Sequence, residues 1–347
     1  MTHPEPAIID VSDLTREFTV RRKGASGKGS GLTASSTKGT GAKGASRLRR
    51  HRSTLTAVDR LSFAVAPGES VGYIGANGAG KSTTIKMLTG ILVPTSGTVR
   101  TCGLEPVRQR RDLARRIGVV FGQRSQLWWD LPLRDSFSIL AAIHRLDTEL
   151  ARSRTNDLVE QLEMGETLDT PVRQLSLGQR MRAEIAAALL HSPDLLILDE
   201  PTIGLDVLSK QRLREFLIHE RAERGTTLLL TTHDMGDIER LCDRVLVVDH
   251  GRLAYDGSLP GLAATVGARR VLVVDLAAPC ADLNDLPDSE HLGSEGSGMR
   301  QRLAFDAETT TAAMLLAGVS TRCEVRDLSI EEPDIEDVVR RIYESTR

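Results

Sequence analysis

One short segment does most to restrict the fold. Gly75, Ala76, Asn77, Gly78, Ala79, Gly80, Lys81, Ser82 and Thr83 follow an apolar run (71–74) and open an amphipathic stretch (81–88). This is the spacing of a glycine-rich phosphate cradle, in the strand-to-helix setting that the cradle needs. The glycines let the backbone curl, so that successive N–H groups point inward at phosphate oxygens. The helix N-terminus adds a favourable dipole for the same anion. Lys81 would bring a point charge to the outer phosphates, and the Ser82 hydroxyl would ligate Mg²⁺. The plain alternative is a turn that binds nothing, and a full match in context disfavours it.

The neighbouring sequence supplies a sheet to carry that loop. Residues 195–198, 227–230 and 245–248 are short apolar runs like 71–74. Helical patterns fall at 113–116, 136–145, 155–162 and 179–190. Buried strands alternating with helices predict a largely parallel sheet covered on both faces. Residues 8–20 and 57–65 alternate as further strands. Between them, 21–53 is dominated by Gly, Ser, Thr, Lys and Arg, with no acidic residue. Such a composition cannot bury enough surface to offset its ordering entropy, so a mobile cationic loop is expected. Attachment to an anionic membrane is the alternative use of its basic residues. After 257 the pattern changes: strands at 270–276, 300–305 and 324–328, helices at 309–316 and 335–344, and a Gly/Ser/acid-rich loop at 279–298. These predict a small α+β appendage.

A second chemical feature is the pair Asp199 and Glu200, which closes the apolar run 195–198. Carboxylates at the C-terminal end of a buried strand stand where ligands of such sheets bind. Asp199 suits the magnesium shell, and Glu200 suits polarisation of an attacking water. A helix cap with a charged first turn would look the same in isolation.

Leu175, Ser176, Leu177, Gly178 and Gln179 precede that strand and open the helix 179–190. This run resembles the signature sequence of ABC ATPases, with Leu177 in place of the first glycine of the usual form. The resemblance implies a head-to-tail dimer in which Ser176, Gly178 and Gln179 of one copy meet the γ-phosphate held by the other. Other elements follow in the family's order. Gln123 resembles the Q-loop glutamine that touches Mg²⁺. Gly204, Leu205 and Asp206 resemble the D-loop. His233 resembles the switch histidine at the γ-phosphate, and Phe18 resembles the aromatic that stacks on adenine, where tyrosine is more usual. The implied fold class is α/β: a P-loop NTPase (RecA-like) core with antiparallel β and α-helical subdomains, plus the C-terminal α+β extension. The implied division is a cassette over 1–256, with its basic insert at 21–53 and a mainly helical subdomain over about 101–178, and an extension over 257–347.

The region 122–132 resembles bacterial ATPases that partner ABC-2-type permeases, a mainly exporting group. It contains both tryptophans, Trp128 and Trp129. Adjacent residues of a regular element cannot both face a core, so at least one is expected to be exposed. Trp128 and Trp129 together are expected to help line the groove that receives the permease. The implied cofactors are ATP and Mg²⁺, and the implied partners are permease subunits and a second ATPase subunit.

Composition limits the alternatives. A net charge of −2 with 27% charged residues argues against a nucleic-acid binder. No apolar run approaches the roughly 18 residues that span a bilayer, and the N-terminus has no apolar signal region. A cytoplasmic protein, peripheral on the inner face of the membrane, is expected. Cys102, Cys242, Cys280 and Cys323 form no metal-binding spacing and are expected to be reduced thiols. One rival is a non-transport ABC ATPase acting on DNA or ribosomes, disfavoured by the short interval from 123 to 176 and the single cradle. The other is a non-catalytic regulator, disfavoured by Asp199, Glu200 and His233.

Overall fold

The computed structural model describes residues 6–21, 52–122, 124–232, 234–265, 269–306 and 309–331. Most of the basic insert, the helix expected at 335–344, Gln123 and His233 lie outside the described residues.

Chain order begins with an antiparallel pair, β1 (Ile9–Arg21) and β2 (Arg52–Val65), then β3 (Ser70–Gly75), α1 (Lys81–Leu88) and β4 (Ser96–Thr101). The short α2 (Arg110–Leu113) leads into β5 (Ile117–Phe121). Helices α3 (Leu133–His144), α4 (Thr148–Gln161) and α5 (Leu177–Leu189) follow. Then come β6 (Leu195–Asp199), α6 (Val207–Arg224), β7 (Thr227–Thr231), α7 (Met235–Leu241), β8 (Arg244–Asp249), β9 (Arg252–Gly257) and α8 (Leu259–Thr265).

Six of these strands form one sheet in the order β5-β6-β7-β3-β8-β9. All its neighbours run parallel except β9, which pairs antiparallel with β8 at the edge. Burial on both faces explains why its strands read as unbroken apolar runs. Leu196, Leu198, Leu228, Leu230, Val245 and Val247 face the core built with α3 to α7. Their neighbours Leu195, Ile197, Leu229, Leu246 and Val248 face the opposite core, completed by β1, β2 and α1. A three-stranded sheet, β2-β1-β4, covers that second side.

Sequence cues decide several boundaries. Asp147 caps α4, accepting from the N–H groups of Glu149 at 3.0 Å and Leu150 at 3.2 Å. Ser176 and Gln179 form a reciprocal capping box at the start of α5. Gly225 ends α6 in the left-handed conformation, φ 66°. The α4 helix is joined to α6 by a buried ion pair, Arg154 with Glu220.

The C-terminal unit is a separate four-stranded antiparallel sheet. Its strands are β10 (Arg270–Leu276), β11 (Ser289–Glu295), β12 (Arg300–Phe305) and β13 (Val325–Glu331), ordered β11-β12-β10-β13. Helix α9 (Ala312–Ser320) covers it around a core of its own, including Leu272, Val274, Leu303, Phe305 and Val319. The α+β reading holds here, with two corrections. The 279–298 segment is not all loop, because β11 pairs along β12 and hides its polar composition in an edge position. The cysteines are not all thiols: Cys280 and Cys323, 43 residues apart, are bonded. The chain brings them together because the N–H of Ala277 donates to the carbonyl of Glu324 at 2.9 Å, a closure that spacing alone does not reveal. Cys102 and Cys242 are buried and free, and burial pushes the Cys102 thiol up to about 11. Helices α6 and α7 and strands β4 and β9 also lie beyond what the patterns marked.

A pair of histidines stands where α3, α5 and the sheet meet. His144, in the last turn of α3, stacks on His191 with ring centroids 4.0 Å apart and planes 10° apart. His191 Nε2 lies 3.0 Å from the carbonyl of Ile117 and is therefore the donor, while its buried Nδ1 has no partner among the described residues. Burial, then the neighbouring His144, lowers the His191 pKa to about 4 from 6.5. The unfolded chain thus binds more protons, and stability present above pH 6.5 falls as pH drops towards 4. Urea unfolding should show a loss of about 2 kcal/mol from this residue between pH 7.5 and pH 5. That acid loss should shrink in His191→Gln.

Candidate active site

The cradle begins at the last residue of β3 and ends in the first turn of α1. Its outer wall is β2. A Cβ on Gly80 would lie 2.4 Å from the Ala57 carbonyl, and Gly80 has φ +103°, so glycine is required twice over. The carbonyl of Ala79 accepts from Gly251 N–H at 3.0 Å, tying the loop to the β8–β9 turn. Ala76, Asn77 and Gly78 remain exposed.

Lys81 points back into this loop. Its ammonium donates to the carbonyl of Gly75 and, at 3.4 Å, to that of Ala76. Burial lowers its pKa, and the carboxylates of Glu200 and Asp199 pull it back up. The cation therefore feels both carboxylates across the sheet. The Ser82 hydroxyl is exposed in the same turn. Thr84 turns inward, accepting from Tyr73 at 3.2 Å.

The carboxylates reach this place through strand register. Phe121 of β5, Asp199 of β6 and Thr231 of β7 are paired in a row at the C-terminal edge. The Thr231 hydroxyl donates to Asp199 Oδ1 at 2.5 Å, fixing that carboxylate. Glu200 follows in the left-handed conformation, φ 56°. For a non-glycine residue this strain costs on the order of 1 kcal/mol. The Glu200 N–H donates to the Thr231 carbonyl at 2.8 Å, which holds the turn. Glu200 also lines a cleft of about 500 Å³ with Thr202, Ile203, Gly204, Lys210, Thr232 and Asp234. A larger cavity, about 780 Å³, lies at the opposite strand ends beside Asp194 and Thr227. The candidate residue Glu200 lines the smaller one, at the C-terminal strand ends where ligands of such sheets bind.

His233 lies outside the described residues, but its flanks are held by a buried charge network. Asp237 is fully buried and accepts from Thr202, from Thr232 at 3.2 Å and from Arg214 Nε at 2.7 Å. Asp234 accepts from Lys210 at 2.5 Å, and that hydrogen bond holds its carboxyl below the usual range. The segments after Glu200 and around His233 are therefore braced on one carboxylate.

The signature residues occupy another surface. Ser176 Oγ accepts from Gln179 N–H at 3.2 Å, and Gln179 Oε1 accepts from Ser176 N–H at 2.9 Å. Leu177, the departure from the usual glycine, abuts Gly204, and Gly178 faces Leu205 and Ser209. No hydrogen bond among the described residues joins 176–179 to 75–83. Asp206 caps α6, its carboxyl held low by Ser209, whose N–H donates at 2.9 Å and hydroxyl at 2.7 Å. Phe18 pairs with Leu55 on β2, near the Ala57 wall of the cradle. Its ring carries the Arg16 guanidinium at 4.7 Å from the centroid.

The pattern reading thus located the cradle and both carboxylates, and missed Thr231, Arg214 and Asp237. Threonine at a strand end carries no motif, and the Arg214–Asp237 pairing joins two helices that the patterns did not mark. Gly80→Ala should lower ATP affinity by more than about tenfold, since the strain of a positive φ adds to the clash. Gly165→Ala, whose Cβ meets nothing within 4 Å, should leave it unchanged. Titration calorimetry checks both.

Comparison with known proteins agrees with this geometry. The family pattern described as "ABC transporter" matches residues 58–203. The Nod factor export ATP-binding protein I of Paraburkholderia xenovorans (strain LB400) is 40% identical over 224 residues, covering 63% of this chain and 71% of that protein. The ABC transporter ATP-binding protein NatA of Bacillus subtilis (strain 168) is 32% identical over 216 residues, 62% of this chain and 87% of that one. A solved structure described as the ATP binding subunit of an ABC transporter matches with TM-score 0.59 at 26% identity, covering 75% of this chain and 94% of its own. The chain belongs to the ABC transporter family, as an ATP-binding, ATP-hydrolysing subunit that powers transport.

Proposed function

We propose that two copies of this chain clasp ATP head to tail and drive export through a separate ABC-2-type permease. One observation carries the dimer: the signature and D-loop segments expose large apolar side chains together. Leu177 is 41% exposed, Ile203 54%, Val207 85% and Leu208 57%. Such a patch, beside a capped helix N-terminus, suits a surface that is covered part of the time.

In this reading the N–H groups of 75–83 receive the phosphates, and Lys81 exchanges its loop carbonyls for phosphate oxygens. Mg²⁺ would be held by Ser82 and Asp199, with Gln123 within the same shell, and would neutralise charge on the outer phosphates. An all-oxygen donor set of a hydroxyl and one carboxylate fits an ion that keeps waters and phosphate among its ligands. Glu200 takes the role of orienting and polarising the attacking water, and His233 that of contacting the γ-phosphate. Ser176, Gly178 and Gln179 of a second copy complete the phosphate shell, and Asp206 shapes the D-loop that crosses between copies. Phe18 serves the adenine.

Export is supported by the name of the Paraburkholderia relative, and ABC-2-type pairing by the resemblance of 122–132. No helix among the described residues is long and apolar enough to cross a membrane, which is consistent with a subunit seated on the inner face of the bilayer beside its permease. The cassette would occupy 1–256 and the extension 257–347.

Glu200→Gln should lower turnover on the order of 10²-fold or more, the share usual for a general base. It should also elute as a dimer with ATP and as a monomer without it. A monomer under both conditions, even beside the permease, sinks the reading. The tryptophans divide by role: Trp128 packs on the main core, whereas Trp129 is 53% exposed. Trp129→Ala should weaken permease association about tenfold, as truncation of an interface aromatic does, with thermal stability unchanged. Trp128→Ala should lower stability instead, as a melting curve will show.

A further inference from the structure

Helix α5 carries a carboxylate at a position where its neighbours Ala183, Ile185 and Ala186 are fully buried. Glu184 is itself only 5% exposed. Burial raises its pKa, and hydrogen bonds from Ser125 and Gln126 lower it in part. A buried charge persists only where donors compensate it. Arg180, one turn earlier on α5, adds an attractive charge, but among the described residues the hydrogen bonds to its carboxylate come from one segment. The Ser125 hydroxyl donates to Glu184 Oε1, and Gln126 N–H donates to Oε2 at 3.1 Å. The Gln126 side chain donates to the Glu184 backbone carbonyl at 3.0 Å. Ser125 Oγ also accepts from Leu127 N–H at 3.1 Å, which tightens the turn.

This segment runs straight into the two tryptophans. Trp128 N–H donates to Ser136 Oγ on α3 at 3.2 Å, and Ser136 is fully buried. Trp129 then projects outward, lining a cleft of about 160 Å³ with Arg124, Arg180 and Glu184. The other end of α5 is the Ser176–Gln179 capping box. Eight residue steps of helix separate Ser176 from Glu184, about 12 Å of a stiff rod.

We propose that Glu184 is a positioning residue that clasps the 124–129 segment to the signature helix. When a second copy engages 176–179, α5 carries that displacement through Glu184 to the surface around Trp129. This rests on the dimer reading above and adds to it the side chain that links the dimer face to the permease face. A purely structural carboxylate would stabilise the fold without passing on the motion.

The chain's only tryptophans are Trp128 and Trp129, so emission excited selectively in the tryptophan band reports this segment alone. In full-length protein carrying Glu200→Gln, ATP should produce both dimer elution and a change in tryptophan emission. Adding Glu184→Ala should leave the dimer and abolish the emission change. Glu184→Gln should restore it, because the amide oxygen accepts from Gln126 N–H while the amide nitrogen donates to Ser125 Oγ. Ser125→Ala, a gentler variant that keeps the Gln126 bonds, should diminish the change without affecting elution. An undiminished emission change in both alanine variants, or none in the parent dimer, overturns the clasp and leaves the dimer standing. Failure of the parent to dimerise overturns both, and the elution profile alone identifies that case.

Discussion

A desolvated ammonium set opposite two carboxylates is the constraint on which the rest of the molecule turns. Lys81 is 8% exposed; burial works against its charge, and the carboxylates of Glu200 and Asp199 favour it. The three groups belong to segments more than a hundred residues apart, and only a parallel register brings them to one edge. The order β6-β7-β3 supplies it, with β7 as the spacer that also contributes Thr231 to Asp199. Both faces of the sheet must then be buried, which explains why α3 to α7 lie on one side and the β2-β1-β4 sheet with α1 on the other.

The strain at Glu200 belongs to the same economy. A left-handed glutamate at the end of β6 turns the chain sharply, so consecutive residues of one strand end face different parts of the edge. Asp199 stays in register with Thr231, while Glu200 turns into the cleft shared with Thr232 and Gly204. A relaxed backbone would continue the strand and put Glu200 on the far face. The hydrogen bond from its N–H to Thr231 and the buried Asp237 network below keep that turn in place.

The legible parts of the sequence were those where one local pattern answers to one local physical demand. The cradle could be read because its glycines meet a backbone need that no other residue meets, as Gly80 illustrates. The apolar runs 195–198, 227–230 and 245–248 could be read because two-sided burial leaves no polar position. Helix α6 was missed because its exposed face is heavily charged and its inward residues, Leu213, Phe216, Leu217 and Glu220, include a buried acid. Strand β11 was missed because an edge position tolerates Ser, Glu, His and Gly. Long-range pairings such as Arg214 with Asp237, Cys280 with Cys323, and Glu184 with Ser125 carry no local mark, since each partner is an unremarkable residue until the chain closes.

The signature's internal bonds bear on why closure should wait for nucleotide. Ser176 Oγ accepts from Gln179 N–H, which satisfies one orphan donor of the helix but leaves the hydroxyl proton free to donate outward. Gln179 likewise spends its carbonyl on Ser176 N–H and keeps its amide protons. The helix end is stable by itself, and the protons left over on both side chains are free to donate. Two such surfaces brought together without an anion would place donors and helix-dipole positive ends against the Lys81 region, which is repulsive. In the proposed dimer, with triphosphate between them, the same groups would become a shell for negative charge. Leu177, held against Gly204, links that donor set to the D-loop turn, so the two segments would approach a second copy as one surface. In the proposed dimer, closure would then depend on the charge of the nucleotide, and loss of the terminal phosphate would remove the group that made the approach favourable.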